Sequence, residues 1–174
     1  TLKIIQKVLN DEKDFIKAWQ INERHYGALT GMNKIEMAQK IGEDKVYQLR
    51  RSWEMKPDPL SRESPYHPLN IQTYKNVPKR EIPDTESLKD TYERVIKFYE
   101  EEIKSHLKNK NVLVSAHGNS IRALYKYLFK IDNEQISKLE IPTGNPMVIE
   151  LNEKYETQNC EYLDKNRSKN LIVF

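Results

Sequence analysis

Residues 112–122 constrain the fold more than any other stretch of this sequence. Val112, Leu113 and Val114 form a short apolar, β-branched run that ends at His117-Gly118-Asn119. Ile121, Leu124, Tyr125 and Leu128 follow at offsets of three, four and seven, the period of one helix face. The pattern predicts a buried strand, a tight turn and a helix. The first N–H groups of such a helix have no intrahelical acceptor, so the turn is a natural anion site. His117 is placed beside it, at the carboxyl end of the strand. A long helix is predicted just upstream, over residues 87–107. Ser87 and Asp90 form its cap, and Leu88, Tyr92, Val95, Tyr99, Ile103 and Leu107 form its apolar stripe. Helix followed by buried strand and helix is the grammar of parallel α/β packing.

The rest of the chain narrows the class. Its 174 residues suffice for one domain with a real core but not for two comfortable ones. The net charge of +3, with Lys and Glu interspersed, gives no case for nucleic acid. No apolar run approaches the ~20 residues of a membrane span. Cys160 is the only cysteine, which excludes an internal disulfide and suits a reducing, cytoplasmic compartment. Four scattered histidines and one cysteine show no metal-ligand spacing, so no metal is expected. Neither a Walker-type nor a dinucleotide glycine motif is present.

In chain order, Ile4, Ile5, Val8 and Leu9 predict a first helix with Thr1 as its N-cap. Residues 15–21 alternate loosely and predict a short strand. Asn22-Glu23-Arg24-His25-Tyr26-Gly27 follows as a dense polar cluster, either lining a pocket or forming a solvated loop with internal ion pairs. Helices are predicted over 31–41 and 43–53. Lys34 lies near the start of the first, where a cation opposes the helix dipole, and Arg50-Arg51 near the end of the second, where cations are favoured. The arginine pair reads as helix-end electrostatics or as a clamp on phosphate or carboxylate. Six of the eight prolines fall within residues 55–83, which excludes regular helix or central strand there. Residues 55–84 are therefore expected to be an ordered excursion over the site. Asp132 and Gln135 cap a short helix, and residues 147–151 predict a last strand. The tail, 152–174, ends in Leu171-Ile172-Val173-Phe174 and has no assigned role. Glu23, Arg24, His25, Tyr26, Lys34, Arg50, Arg51, His117, Gly118 and Asn119 together suit a small polyanion, with Glu23 as a general acid or base beside it.

In these residues the chain closely resembles the cofactor-dependent (2,3-bisphosphoglycerate-dependent) phosphoglycerate mutases of the histidine phosphatase superfamily. The matching stretches are residues 22–29 with 31–34, Arg50-Arg51-Ser52, residues 86–91, residues 115–122 and Ile141-Pro142-Thr143-Gly144. The resemblance implies a three-layer α/β sandwich with a mostly parallel sheet. It implies interconversion of 3-phosphoglycerate and 2-phosphoglycerate through a phosphohistidine and 2,3-bisphosphoglycerate. It makes Glu23 the proton donor and acceptor, and His117 the group that stabilises the phosphoryl in flight. Tyr26, Lys34, Arg50 and Arg51 become ligands of carboxylate and phosphate, Gly118 and Asn119 donors to the same ligand, and Arg24 and His25 flanking members of the binding segment. It also implies a homodimer or homotetramer.

One departure stands out. The family's nucleophilic histidine lies in an Arg-His-Gly motif, and these 174 residues contain none. The expectation is that the chain is the C-terminal part of such a domain, lacking the family's first strands, and that alone it is inactive. Alternative readings are a bisphosphoglycerate synthase or phosphatase using the same pocket, or a non-catalytic phospho-ligand-binding remnant.

Overall fold

A computed structural model describes residues 1–10 and 15–168. The frame is a pair of packed helices. Helix α4 (Leu88–Phe98) starts at a capping box, in which the Asp90 N–H donates to Ser87 Oγ at 3.1 Å and the Ser87 N–H to Asp90 Oδ2 at 2.8 Å. Both orphan donors are thereby satisfied. The helix continues through a wider π-type turn, Tyr99–Ile103, into a last single turn, α5 (Lys104–His106). Leu88, Val95, Phe98, Tyr99 and Ile103 are buried along one face, as the helical period requires. Helix α6 (Gly118–Phe129) packs across α4.

Two apolar clusters flank this pair. Leu88, Tyr125, Ile131, Ile136 and Leu139 form one, with Trp53, Phe129, Met147 and Cys160 against it. Phe98, Tyr99 and Ile103 form the other, with Val112, Val114, Leu124 and Leu128 around them. Ile136 and Leu139 are fully buried, each contributing about 1.5–3 kcal/mol. Ile136 belongs to the short helix α7 (Asn133–Lys138), whose Asp132–Gln135 capping box forms as expected. Helices α2 (Lys34–Ile41) and α3 (Glu43–Arg51) make a hairpin turned at Gly42, and Asn33 caps α2 by accepting the Ile35 N–H at 2.9 Å. Helix α1 (Leu2–Leu9) forms, but its apolar stripe is exposed and buries no residue.

The sheet departs from expectation. Among the described residues it has two strands, β1 (Met147–Leu151) and β2 (Thr157–Tyr162), paired antiparallel with Met147 opposite Tyr162. The mostly parallel, three-layer sheet is not formed among them. Residues 111–117 have no regular secondary structure, no backbone hydrogen bond joins 112–116 to another described segment, and Leu113 is exposed. A strand exists only with a hydrogen-bonded neighbour, which this stretch lacks here. The strand expected over 15–21 is instead an irregular run and a 3-10 turn, Trp19–Ile21. Strand β2 lies in the tail that had no assigned role; Leu171 to Phe174 are outside the described residues.

Residues 55–83 carry neither α-helix nor strand, only three short 3-10 turns, yet they are held firmly. His67 is fully buried, and its Nδ1 accepts the Leu69 N–H at 3.2 Å. The ring proton therefore lies on Nε2, which donates to Asp84 Oδ1 at 3.1 Å. Asn70 Nδ2 donates to the carbonyls of Arg62 and Ser64, each at 2.8 Å. No helix among the described residues is long and apolar enough to cross a membrane.

Candidate active site

The polar cluster at 22–26 and the N-terminus of α6 meet. Asn119, one residue into α6, points its amide at the cluster: Nδ2 donates to Glu23 Oε1 at 2.9 Å and to the Tyr26 hydroxyl at 2.8 Å. Ser120 Oγ donates to the Asn22 carbonyl at 2.6 Å. Glu23 Oε1 also accepts the Arg24 N–H at 2.7 Å. Its Oε2 has no donor among the described residues. The two segments are 96 residues apart in sequence, so this contact is a product of the fold.

The Asn119 amide is itself oriented. Arg122, one helical turn on and on the same face, donates from Nη1 to Asn119 Oδ1 at 3.0 Å and from Nη2 to the Ile136 carbonyl. With Oδ1 occupied by a donor, Nδ2 must face Glu23 and Tyr26. Arg122 is 3% exposed, and burial pulls its guanidinium down to about 10.

A cavity of about 310 Å³ opens against this arrangement. Its walls include Glu23, His25, Tyr26 and Arg50, with Leu60, Tyr66, Pro68 and Tyr74 from the proline-rich excursion. The Arg50 guanidinium lies 5.3 Å from the centroid of the Tyr26 ring, a cation–π arrangement. His25 packs edge-on to Tyr74, with ring centroids 5.9 Å apart. Burial lowers the His25 pKa, so its imidazole is neutral at physiological pH.

Other expected members are placed differently. Arg24 is on the cavity wall but buried, and its guanidinium donates to the Leu49 and Arg50 carbonyls at the C-terminus of α3. There it satisfies orphan acceptors that helix ends leave. Arg51 pairs with Glu140, so the adjacent arginines do not form a joint clamp. Arg50 lies on the cavity wall, whereas Arg51 does not. His117 is the exposed N-cap of α6, without a capping bond from its side chain, and is not on the cavity wall; Gly118 beside it is also exposed. Lys34 opens α2, and its side chain lies outside what is described.

Three residues that do structural work here had no role from sequence: Glu86, Arg94 and Arg122. Arg122 had a legible signal, lying three residues from Asn119 in a predicted helix. A larger cleft of about 870 Å³ lies between α4, α6 and β2, away from the 22–26 cluster. Two of its lysines are already engaged, Lys104 by Glu100 and Lys126 by the Ile131 carbonyl. Among the described residues no three His, Cys, Asp or Glu side chains cluster as metal ligands. The smaller site instead gathers hydrogen-bond donors and a cation around one carboxylate, which suits an anion that must exchange a proton.

Residues 53–163 match the model of the histidine phosphatase superfamily, branch 1. A 2,3-bisphosphoglycerate-dependent phosphoglycerate mutase of Pelagibacter ubique (strain HTCC1062) is 64% identical over 175 residues, covering 100% of this chain and 74% of that protein. A protein of the same name from Borreliella afzelii (strain PKo) is 49% identical over 172 residues, covering 97% of this chain and 69% of its own length. Another, from Borrelia garinii subsp. bavariensis, is 47% identical over 175 residues, covering 99% and 71%. The chain belongs to the histidine phosphatase superfamily, and within it to the 2,3-bisphosphoglycerate-dependent phosphoglycerate mutases.

Proposed function

We propose that this chain carries the substrate-binding and acid–base half of a phosphoglycerate mutase that interconverts 3-phosphoglycerate and 2-phosphoglycerate. The observation that carries the reading is the 2.9 Å bond between Asn119 Nδ2 and Glu23 Oε1, which joins two family motifs through a carboxylate on the cavity wall. Glu23 Oε1 is held by two donors, and Oε2 is left to accept a proton from a substrate hydroxyl or return one. Arg50 and Tyr26 bind the anionic ends of the substrate, and Asn119 orients the carboxylate. His117 and Gly118, at the start of α6, lie where the free N–H groups of a helix N-terminus favour a phosphoryl group.

The residues fit 2,3-bisphosphoglycerate on their chemistry. Arg50 supplies charge beside the cavity, and Arg24, also on its wall, keeps a buried Nε unpartnered. When bound, that cofactor supplies the phosphoryl group on which the family's chemistry depends. The backbone of 112–116, without a hydrogen bond to another described segment, supports a place for that stretch in a mostly parallel sheet. A homodimer or homotetramer and a cytoplasmic setting belong to the same proposal and rest on the family resemblance. The 174-residue chain by itself, holding no Arg-His-Gly, has no mutase turnover.

The test is an isomerisation assay of the full-length protein with 3-phosphoglycerate, with and without catalytic 2,3-bisphosphoglycerate. Cofactor-stimulated formation of 2-phosphoglycerate is expected. Absence of that stimulation overturns the reading, as does robust turnover by the 174-residue chain alone.

A further inference from the structure

The segment that carries Glu23 has almost no secondary structure of its own. Its backbone groups must find partners elsewhere, and three of its carbonyls find one side chain. Arg94, on α4, uses all five of its N–H donors. Nε donates to Glu86 Oε1 at 2.7 Å and Nη2 to Glu86 Oε2 at 2.9 Å. Nη1 donates to the carbonyls of Gln20 at 2.6 Å and Asn22 at 3.0 Å, and Nη2 to that of Glu23 at 3.3 Å. Glu86 completes the lattice. Its Oε2 accepts the His25 N–H at 2.9 Å, and its own N–H donates to the His25 carbonyl at 2.8 Å. Side-chain exposure is 12% for Arg94 and 4% for Glu86, so solvent screens the pair little.

The consequence is geometric. The carbonyls of Gln20, Asn22 and Glu23 are tied to Arg94 on α4 and the backbone of His25 to Glu86 just ahead of it, while Ser120 and Asn119 tie the same segment to α6. The position of the Glu23 carboxylate relative to α6 is therefore set by the Glu86–Arg94 fork. We propose that Arg94, aligned by Glu86, is a positioning residue for the proton transfer assigned to Glu23, and this rests on that assignment. A planar fork is needed, because an ammonium has fewer donors and cannot grip carboxylate and carbonyls together.

The experiment is a double-mutant cycle in the full-length enzyme. Arg94→Lys and Glu86→Gln are made alone and with Glu23→Gln, and kcat and KM for 3-phosphoglycerate are measured beside a thermal melt. Each single change is expected to lower kcat about 10- to 100-fold with a smaller change in KM, since misplacement by about 1 Å is costly. In the Glu23→Gln background the same changes are expected to lower kcat less than about 3-fold, because their effect passes through Glu23. Equal losses in both backgrounds overturn the proposal, as does a kcat near wild type in both single variants. If Arg94→Lys does not fold, Glu86→Gln decides. If neither folds, the fork is a folding element and the proposal fails. An unchanged kcat in Glu23→Gln alone overturns the assignment of Glu23 instead.

Discussion

Replacing Arg122 with Met should leave the fold nearly as stable while removing most of the activity. The guanidinium is 3% exposed, and burial pulls its pKa down to about 10. That depression corresponds to a burial cost of about 3 kcal/mol at neutral pH. The sign is fixed by linkage. A base whose folded pKa lies below its unfolded one is buried in its charged form wherever both states are protonated, so the cost is fully present below about pH 10 and fades only as the folded guanidinium loses its proton above it. Methionine removes this cost. It also leaves Asn119 Oδ1 and the Ile136 carbonyl without their donor, at about 1–2 kcal/mol each. The two sides nearly cancel, and a melting shift within about 4 °C is expected.

Activity has no such compensation. Without Arg122 the Asn119 amide is free to turn its carbonyl toward Glu23. One hydrogen bond to a charged group, about 1.5–3 kcal/mol, is then lost or reversed. The expected fall in kcat is about 10- to 100-fold, read in an isomerisation assay next to a thermal melt. A melting temperature lowered by more than about 10 °C with kcat unchanged would refute the reasoning, since it would make Arg122 purely structural.

Two further outcomes test the frame around the site. Gly27 has a φ of +53°, and a Cβ there meets the Asp58 carbonyl and Thr85 Oγ1, the latter at 2.6 Å. Gly27→Ala should therefore cost about 2–4 kcal/mol, seen as a lower melting temperature, and an unchanged melt would contradict the close approach. His25, its pKa lowered by burial, is protonated in the unfolded state before the folded one, so acidification through its ordinary 6.5 costs stability. His25→Phe keeps the ring contact with Tyr74 and should flatten the loss of stability between about pH 7 and about pH 5. An identical pH dependence in both proteins would remove His25 from that account.

What the sequence made legible divides by range. Caps and helix faces are local, and the Ser87–Asp90 and Asp132–Gln135 boxes with the α4 stripe follow from spacings of three and four residues. Glu23 and Asn119 are grouped by their polar character and again by the resemblance, but the hydrogen bond between them, across 96 residues, is not visible from spacing. Residues 15–21 mimic a strand in their alternation, but the Gln20 and Asn22 carbonyls are taken by Arg94, an acceptor–donor pairing that spans more than 70 residues. Strand β2, Thr-Gln-Asn-Cys-Glu-Tyr, is polar enough to read as tail, and only pairing with β1 makes it a strand. Val112 to Val114 show the converse, since an extended, apolar run becomes a strand only where a neighbour supplies the other half of the ladder. Arg24 and Arg51 make contacts that their charge alone does not announce. A nearby helix end and Glu140 claim them, and neither partner is visible from local spacing.

The central claim is that Glu23 moves the proton at this site. Its most direct test is kcat for 3-phosphoglycerate isomerisation by full-length wild type and Glu23→Gln, the variant having kept the wild-type melt. The account predicts a fall of about 100-fold or more, with 3-phosphoglycerate still bound. A Glu23→Gln enzyme that turns over at the wild-type rate would contradict it.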